Sequence, residues 1–477
     1  MKILLVTPPG KEVSERSKYS SGIIQFTQPP LGLAYIAAFL LENGFTRVKI
    51  LDSHALEVTH EDYERIIKHV KPDIVGIQVM TPNFNDAIFA ARIAKEHGST
   101  VVMGGHHPTF MPEETLVHSR ADYVVFGEGE DIFLSLVQAI DKGNNTEKLP
   151  GIAYLRDGKL VKNEIPLLRT NIDEFPIPAR HLLPMDKYAI FGSKFPATTI
   201  ISSRGCPYGC DFCVVTHFYG KRWRPRSPEN IVEELRDIGN LGLKASAFVD
   251  DLFFISEKRV LKICREIQNE LDVDMFWGAT TRIDRVTRKT MRVMVDSGCR
   301  LVFAGVESGN QETLDQINKK ITVSQVETFF KNSREAKMDT LASLVFGLPG
   351  DTKQSIRATT KWVIDKLDPD IALFTVATPY PGTPFYEEAL KREKIIENDY
   401  SKYNLFNPII DIVGLSRDEV KEMVKEAYKK FYLRPSKAFS NTTREMRYAM
   451  ESYGLKMFMK NGITFGKAIL SLRGLVT

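Results

Sequence analysis

The first 145 residues alternate short apolar runs with longer stretches of helical periodicity. A helix is predicted over residues 32–43, where apolar positions recur every three or four residues before Gly44. Apolar, β-branched runs predict strands at residues 2–6, 48–51, 74–79, 100–103 and 123–126. Strands that alternate with helices form a parallel sheet covered on both faces. The pattern therefore predicts a Rossmann-like α/β domain over residues 1–145.

Small, polar and turn-forming residues follow the predicted strands of this domain. In open parallel sheets, ligands bind beyond the carboxyl ends of the strands. We therefore expect a cofactor along an edge that contains Pro8, Thr81, Gly104, Gly105, Gly127 and Glu128.

Residues 146–195 are interrupted by prolines, and we interpret them as an irregular connector. A second β/α series follows, with strands predicted at residues 198–202, 245–249, 275–279, 301–306, 342–346 and 371–377. Six such units predict a partial, open (β/α)6 barrel of the TIM type over residues 196–395. One of its helices has a marked start, with Ser227 as N-cap and Pro228 at the first helical position. Residues 396–477 are predicted to form a small, basic helical region.

Length and composition indicate a multidomain soluble protein. A chain of 477 residues exceeds one ordinary core, and 43% hydrophobic with 26% charged residues is typical of globular proteins. No apolar run approaches the roughly 18–20 residues that span a bilayer. The apolar N-terminal stretch is too short for a signal peptide, so we expect a cytoplasmic protein.

The basic charge is concentrated at the end of the chain. Residues 417–477 hold 13 Lys/Arg against 6 Asp/Glu, whereas the whole chain has a net charge of only +4. Such a tail would attract an anionic membrane surface, an acidic partner or nucleic acid, and a solvated helix face explains it equally well.

Three of the five cysteines lie close together, at Cys206, Cys210 and Cys213, directly after a predicted strand. Thiolates at this C-x3-C-x2-C spacing can wrap an iron–sulfur cube. Three ligands leave one iron open to another molecule, as catalytic zinc sites keep a vacant position. The alternative is a zinc knuckle with His217 as fourth ligand. Cys264 and Cys299 lie in apolar helical contexts and read as buried structural thiols.

This cysteine motif, with Phe212 before its last cysteine, resembles that of the radical S-adenosylmethionine superfamily. The resemblance implies a [4Fe–4S] cluster on the three cysteines, whose open iron binds S-adenosylmethionine and delivers the electron that cleaves it. Further matches follow the later barrel strands, and the resemblance implies that they contact the cosubstrate: Asp250 the methionyl end, Glu307 the ribose, and Gly347 and Pro349 the adenine. Tyr380, after the sixth strand, is the candidate catalytic residue.

The N-terminal domain resembles the cobalamin-binding domain that precedes many such barrels, in the class B methyltransferases. Glycines at 104 and 105 would let the backbone approach the corrinoid tail. The string Asp52-Ser53-His54 departs from the D-x-H-x-x-G loop of other cobalamin proteins because the glycine is missing and the string follows the second strand. We therefore do not assign His54 as a cobalt ligand, and His106 and His107 are treated likewise.

These resemblances imply a cobalamin-dependent enzyme that methylates an unactivated carbon of a small-molecule or lipid substrate. The alternative enzyme is a radical cyclase that forms a C–C bond on a tetrapyrrole or isoprenoid lipid. A third alternative, a non-catalytic cobalamin or redox sensor, would require a barrel unable to cleave its cosubstrate.

The expected partners are the substrate and an electron donor of the flavodoxin or ferredoxin type. No nucleic acid is expected, although residues 221–226 interleave basic and aromatic residues, because the resemblance places such residues near the cosubstrate carboxylate. The C-terminal region, with its scattered aromatic and methionine residues, is a candidate for peripheral membrane contact.

Overall fold

The computed structural model describes residues 1–10, 27–189, 196–271, 275–392, 394–395, 397–412, 414–437 and 444. The chain divides into two compact units. The first contains residues 1–10, Thr27–Tyr188 and Asp399–Lys402. The second contains the described residues of Ala189–Asn398 and those from Tyr403 onward.

The first unit is built on a seven-stranded sheet in the order β2-β1-β3-β4-β5-β6-β7. The strands are Ile3–Thr7 (β1), Val48–Asp52 (β2), Ile74–Gln78 (β3), Thr100–Gly104 (β4), Tyr123–Val125 (β5), Ile152–Arg156 (β6) and Lys159–Lys162 (β7). β1 to β5 are parallel, and in their register Leu5 lies between Ile50 and Gly76. The Rossmann-like parallel sheet is therefore confirmed.

Helices cover both faces of this sheet. They are Leu31–Glu42 (α1), His60–Val70 (α2), Phe84–Glu96 (α3), His106–Phe110 (α4), Pro112–Ser119 (α5) and Glu130–Asp141 (α6). Two apolar cores result: Leu4, Val75 and Ala90 belong to one, and Leu5 and Phe133 belong to the other. Alternate residues of β1 point into opposite cores because successive side chains of a strand face opposite sides.

The predicted irregular connector is wrong in one part. β6 and β7 lie within it and pair antiparallel with β5 and with each other. Asp157 and Gly158 turn the chain between them, with φ of 51° and 75°. Two left-handed residues in an Asp-Gly pair make the type I′ turn that suits a tight hairpin.

The second unit contains six parallel strands in the order β15-β14-β13-β12-β11-β8, which confirms the open (β/α)6 barrel. They are Thr198–Ile200 (β8), Ala245–Phe248 (β11), Phe276–Thr281 (β12), Cys299–Glu307 (β13), Asp339–Phe346 (β14) and Ile371–Val376 (β15). A short antiparallel pair, Ser203–Arg204 (β9) with Arg224–Pro225 (β10), flanks the cysteine loop.

The helices of the second unit follow the predicted order. They are Val215–Tyr219 (α7), Pro228–Asn240 (α8), Glu257–Glu270 (α9), Arg288–Asp296 (α10), Gln311–Gln316 (α11), Val323–Ala336 (α12), Lys353–Trp362 (α13), Pro384–Lys391 (α14) and Arg417–Tyr432 (α15). The start of α8 is as predicted: Ser227 is the N-cap, its side chain accepts the Asn230 N–H, and Pro228 is the first helical residue.

The last described helix, α15, covers the free edge of the barrel. The Tyr428 hydroxyl accepts the Phe374 N–H, and the Tyr432 hydroxyl bonds both the N–H and the C=O of Ala372. Two aromatic residues considered for membrane contact, Phe431 and Tyr432, are thus buried against β15. The others lie outside the described residues: Phe439, Tyr448, Met457, Phe458 and Met459. No helix in the described ranges has the length and apolarity to cross a membrane.

Candidate active site

The three clustered cysteines lie on the loop between β9 and α7, after the first barrel strand. All three are half-buried free thiols. Burial raises their pKa, to about 12 for Cys213, and the charges of Cys206 and Cys210 also raise the pKa of Cys213. The structure therefore brings the three predicted ligands together. Because iron binds thiolates, loading the loop must release protons.

The loop is held at several points. The Gly205 N–H donates to Asp251 Oδ2 at 2.8 Å, and Asn318 Nδ2 donates to the Gly209 carbonyl at 2.8 Å. Asp211 donates its N–H to Ile317 O and accepts the Phe385 N–H at 3.1 Å. These partners lie in the segments that follow β11, β13 and β15, so three separate connections at the carboxyl side of the barrel fix the loop.

Arg282, at the carboxyl end of β12, lies against the cysteine loop. Its guanidinium carbon is 3.8 Å from the centre of the Tyr208 ring, and Nη2 donates to Lys319 O and Lys320 O at 2.6 and 2.9 Å. Its charge lowers the pKa of Cys206 and Cys210, although burial outweighs it. A fixed positive charge, paired on its Nε side with Asp284 at 2.8 Å, therefore stands beside the predicted cluster site.

Glu307 and Lys319 form a second charged group near Cys210. Glu307 ends β13 with φ of 64°, next to a register shift between β13 and β14. Lys319 Nζ donates to Glu307 Oε1 at 2.5 Å, and both side chains are largely buried. Both charges act on Cys210: Lys319 lowers its pKa and Glu307 raises it, while burial has the larger effect. The predicted ribose contact is thus placed near the cysteines.

The carboxylate of Asp250, the predicted methionyl contact, accepts its hydrogen bonds from other groups of the protein. It accepts the Ser202 N–H at 2.7 Å and the hydroxyls of Ser202 and Ser203 at 2.6 and 2.5 Å. The side chain is buried and ties the end of β8 to the end of β11. Asp251, its neighbour in the same strand-end motif, to which the sequence analysis assigned no contact of its own, bonds Gly205 directly and acts electrostatically on Cys206 and Cys213.

The turn after β14 contains Gly347 and Pro349. Gly347 has φ of 85°, and its N–H and that of Leu348 donate to Asp351 Oδ2 at 3.0 and 3.1 Å. Thr313 also donates its hydroxyl to Asp351. Burial raises the pKa of Asp351 to about 6. Asp351, which is outside the predicted set, therefore fixes the shape of the predicted adenine turn.

Phe212 and Tyr380 lie at the same end of the barrel. Phe212 is half-buried between the last two cysteines. Tyr380 is also half-buried, and its carbonyl accepts the Thr383 hydroxyl at 2.7 Å. This bond is made by the backbone of Tyr380 and does not involve its phenol, so the catalytic role of the side chain stays a prediction.

In the first unit, the residues predicted for cobalamin lie at or just beyond the carboxyl ends of the parallel strands. Gly105 has φ of 112°, and a Cβ there would stand 2.5 Å from Val79 O. The Gly127 N–H donates to Thr109 Oγ1 at 3.1 Å. The other four residues are buried or half-buried at the same edge: Pro8, Thr81, Gly104 and Glu128.

The histidines of this edge have other partners. His107 is buried, with Nδ1 3.4 Å from Thr81 Oγ1 and its ring between those of Phe84 and Tyr400. Burial lowers its pKa to about 3, so the imidazole is neutral. His106 Nδ1 is 3.2 Å from the Met80 sulfur, and burial lowers its pKa to about 4.

Asp52 of the D-x-H string is a buried hydrogen-bond centre. Its carboxylate accepts the hydroxyls of Thr7 and Tyr188 and the N–H of His54 and of Ala55. It therefore fixes the loop after β2. These bonds give the string a structural role in this chain.

Comparison with known proteins agrees with both units. Residues 23–137 match the B12 binding domain and residues 200–363 match the radical SAM superfamily. A protein of Pyrococcus horikoshii, the uncharacterized methyltransferase PH0819, is 39% identical over 440 residues, which span 91% of this chain and 93% of the relative. The chain belongs to the cobalamin-dependent radical SAM methyltransferase family.

Other similar proteins include a cyclase and two enzymes of known structure. The anaerobic magnesium-protoporphyrin IX monomethyl ester cyclase of Cereibacter sphaeroides is 29% identical over 91% of this chain and 72% of its own. The methyltransferase TsrM of Kitasatospora setae, solved with cobalamin and a [4Fe–4S] cluster, has a TM-score of 0.68 at 20% identity over 82% of this chain and 78% of its own. OxsB, solved with aqua-cobalamin and S-adenosylmethionine, has a TM-score of 0.73 at 16% identity over 93% and 71%.

The cofactors of this family member are a [4Fe–4S] cluster, S-adenosylmethionine and cobalamin. The donor set fits the cluster, since three soft thiols share one loop and a cube binds each thiolate at a different iron. Among the described residues, no three His, Cys, Asp or Glu side chains are grouped as ligands of a single ion. The carboxyl edge of the first sheet also has open space, because a Cβ on Gly127 would meet nothing within 4 Å and one on Gly104 would meet nothing nearer than 3.8 Å, whereas Gly105 is required by packing against Val79 O.

Proposed function

We propose that Cys206, Cys210 and Cys213 ligate the cluster of a methyltransferase that acts on a carbon of a small-molecule or lipid substrate. The observation that carries this proposal is the group of three half-buried thiols on one anchored loop, beside Arg282 and the Lys319–Glu307 pair. When bound, the cluster and S-adenosylmethionine would supply the carbon radical and cobalamin would supply the methyl group.

The residues of the chain position these groups. Glu307 and the Gly347–Pro349 turn would hold the nucleoside part of S-adenosylmethionine. Asp251, which follows β11, is the better-placed carboxylate for the methionyl amino group because it is exposed beside the cysteine loop, whereas Asp250 is buried among its hydrogen-bond donors. Tyr380 is the proposed catalytic side chain, and its phenol would donate or accept the proton at the substrate.

The carboxyl edge of the first sheet would hold cobalamin. Backbone at Gly104 and Gly105 would approach the corrinoid tail, and four further residues would line the edge: Pro8, Thr81, Gly127 and Glu128. Because the His107 imidazole is buried and neutral, it would serve as a hydrogen-bonding group there.

Product analysis tests this function. The protein would be reconstituted anaerobically with iron, sulfide and hydroxocobalamin, then incubated with dithionite, cell extract and S-adenosylmethionine labelled in its methyl group. We expect 5′-deoxyadenosine, S-adenosylhomocysteine and a product that carries the label. Formation of 5′-deoxyadenosine with an unlabelled, ring-closed product would instead support the cyclase alternative, which the similarity to the magnesium-protoporphyrin cyclase favours.

Membrane contact through the C-terminal region also stays a proposal. A chain that ends after Lys437 would keep α15 and its bonds to β15 while it loses most of the basic aromatic tail. Sedimentation with anionic liposomes should fall for this truncated chain if the tail binds lipid. Equal sedimentation of the two chains would contradict the membrane role.

A further inference from the structure

The outer side of the cysteine loop is surrounded by exposed basic residues. Pro207 is exposed, and the Lys221 Nζ atom lies 3.4 Å from where a Cβ on Gly209 would stand. Arg285 Nε donates to the Tyr208 hydroxyl at 2.9 Å. These contacts place two cations on the short turn that joins the first two cysteines.

Two more exposed cations adjoin the same turn. The Arg222 carbonyl packs on Gly205, where a Cβ would stand 2.1 Å from it. Lys320 follows the Asn318 that bonds Gly209, and its own carbonyl accepts from Arg282. We call the set of Lys221, Arg222, Arg285 and Lys320 the basic rim.

The charge of the basic rim is largely unneutralised. Within the described part of the chain, Lys221, Arg222 and Lys320 form no ion pair. Arg285 lies 3.7 Å from Asp284, but that carboxylate also pairs with Arg282 at 2.8 Å. The rim therefore presents a positive surface next to the loop that would hold the cluster.

The structure does not extend this surface into a nucleic-acid stripe. Within residues 221–226, Arg224 and Arg226 are buried, and Arg226 pairs with the buried Glu234. Trp223 donates its indole N–H to Leu252 O. Only the first two cations of the run are exposed, whereas binding of a single strand needs a longer groove with open aromatic faces.

We propose that the basic rim docks an acidic one-electron carrier protein, such as reduced flavodoxin. The proposal rests on the proposed function, because the carrier would reduce the cluster held by the loop. One electron leaves the reduced carrier and enters the cluster, and no bond forms or breaks. Opposite charge steers such encounters and raises their rate by about 10- to 1,000-fold, most strongly at low ionic strength.

The test measures the rate at which flavodoxin hydroquinone reduces the reconstituted cluster, by anaerobic stopped-flow absorbance at low ionic strength. The double variant Lys221→Glu/Lys320→Glu should be reduced at least about tenfold more slowly, and the rate should lose most of its salt dependence. Lys244→Glu is the matched control: Lys244 is exposed and precedes β11, at the opposite end of the barrel. Its rate should stay within about twofold of the unchanged protein.

Folding and cluster content are checked separately in each variant, by iron content and by the spectrum after dithionite reduction. Lys221→Gln/Lys320→Gln should give an intermediate rate because it removes charge without reversing it. Equal rates for the Glu double variant and for Lys244→Glu would overturn the proposal. The proposal would also be overturned if the Glu double variant were reduced by flavodoxin at the unchanged rate and lost its binding of a single-stranded oligonucleotide. Since reduction is measured without S-adenosylmethionine, failure of the methyltransferase assignment would leave this result interpretable.

Discussion

The guanidinium of Arg282 stacks on the ring of Tyr208, 3.8 Å from its centre, between the first two cysteines of the loop. The same guanidinium holds the carbonyls of Lys319 and Lys320. One buried cation thus joins the cysteine loop to the segment that pairs with Glu307. Its charge also acts on Cys206 and Cys210.

Replacing Arg282 should therefore affect both loop stability and the cluster. Arg282→Gln removes the stacking and charge-assisted hydrogen bonds, so we expect the free energy of unfolding of the second unit to fall by about 2 kcal/mol. The reduction potential of the cluster should also fall, because a nearby positive charge favours the reduced, more negative state. Chemical denaturation and potentiometric titration followed by electron paramagnetic resonance measure the two effects.

Arg282→Lys separates these effects, since lysine keeps the charge and loses the planar fork. Its potential should stay closer to that of the unchanged protein than the potential of Arg282→Gln does. Arg300→Lys is a control that alters another cation–aromatic pair, with Phe276, at the opposite end of the barrel. An equal potential for both Arg282 variants would contradict the electrostatic role.

Asp250 and Asp251 should give different phenotypes although they are neighbours. Asp250→Asn replaces an acceptor of three hydrogen bonds by a group that also donates, and we expect a stability loss of about 1–3 kcal/mol. Asp251→Asn keeps an oxygen for the Gly205 N–H and should cost less stability than Asp250→Asn, because Asp251 is exposed and Asp250 is buried. The affinity of Asp251→Asn for S-adenosylmethionine should fall about tenfold, which is roughly 1.4 kcal/mol. Equilibrium dialysis measures the affinity for S-adenosylmethionine. If Asp250→Asn were stable and bound S-adenosylmethionine more weakly while Asp251→Asn bound it normally, Asp250 would be the binding residue and the assignment would be wrong.

Position 205 requires glycine for two reasons, its backbone conformation and the lack of space for a side chain. It has φ of 83°, and a Cβ would stand 2.1 Å from Arg222 O, so Gly205→Ala must displace backbone. We expect a loss of more than about 3 kcal/mol and a reduced iron content. Gly242→Ala is the control: Gly242 follows the C-terminal end of α8 with φ of 78° and nothing within 4 Å of the added carbon, so it should lose only about 1–2 kcal/mol. Similar losses in the free energy of unfolding for the two variants would show that the close contact between Gly205 and the Arg222 carbonyl does not matter.

The buried Asp351 should make stability depend on pH. Its pKa is raised from 3.8 to about 6, mainly by burial, so the folded protein holds this proton more tightly than the unfolded chain. Stability from this group is therefore full at low pH and is lost as pH rises through about 6. The loss approaches about 3 kcal/mol for a shift of this size. The loss takes place between the unfolded pKa of 3.8 and the folded pKa of about 6, so unfolding midpoints from about pH 4 to about pH 7 should fall less steeply in Asp351→Asn, and parallel curves would contradict this.

Much of the fold could be predicted because its strands are apolar runs between helical segments. All five predicted strands of the first domain and all six of the barrel overlap the observed ones. The β6–β7 hairpin was missed because the prolines around it favoured an irregular segment. The Asp157-Gly158 pair was the signal that would have found it.

The finer geometry of the site was beyond sequence reasoning. The choice between Asp250 and Asp251 depends on which carboxylate faces Ser202 across β8 and β11, and a local pattern does not show that. Likewise, the bond from Tyr188 to Asp52 joins residues 136 positions apart. The motif residues were recognisable by type and spacing, whereas their hydrogen-bond partners depend on the folded chain.

The most direct test of the account is the amount of 5′-deoxyadenosine formed per chain after anaerobic reconstitution, with dithionite and S-adenosylmethionine. We predict that the unchanged protein forms it and that Cys206→Ala, Cys210→Ala and Cys213→Ala each abolish it together with the cluster. A chain that carries a complete cluster on these cysteines and forms no 5′-deoxyadenosine would contradict the account. Persistence of the nucleoside in the three alanine variants would contradict it equally.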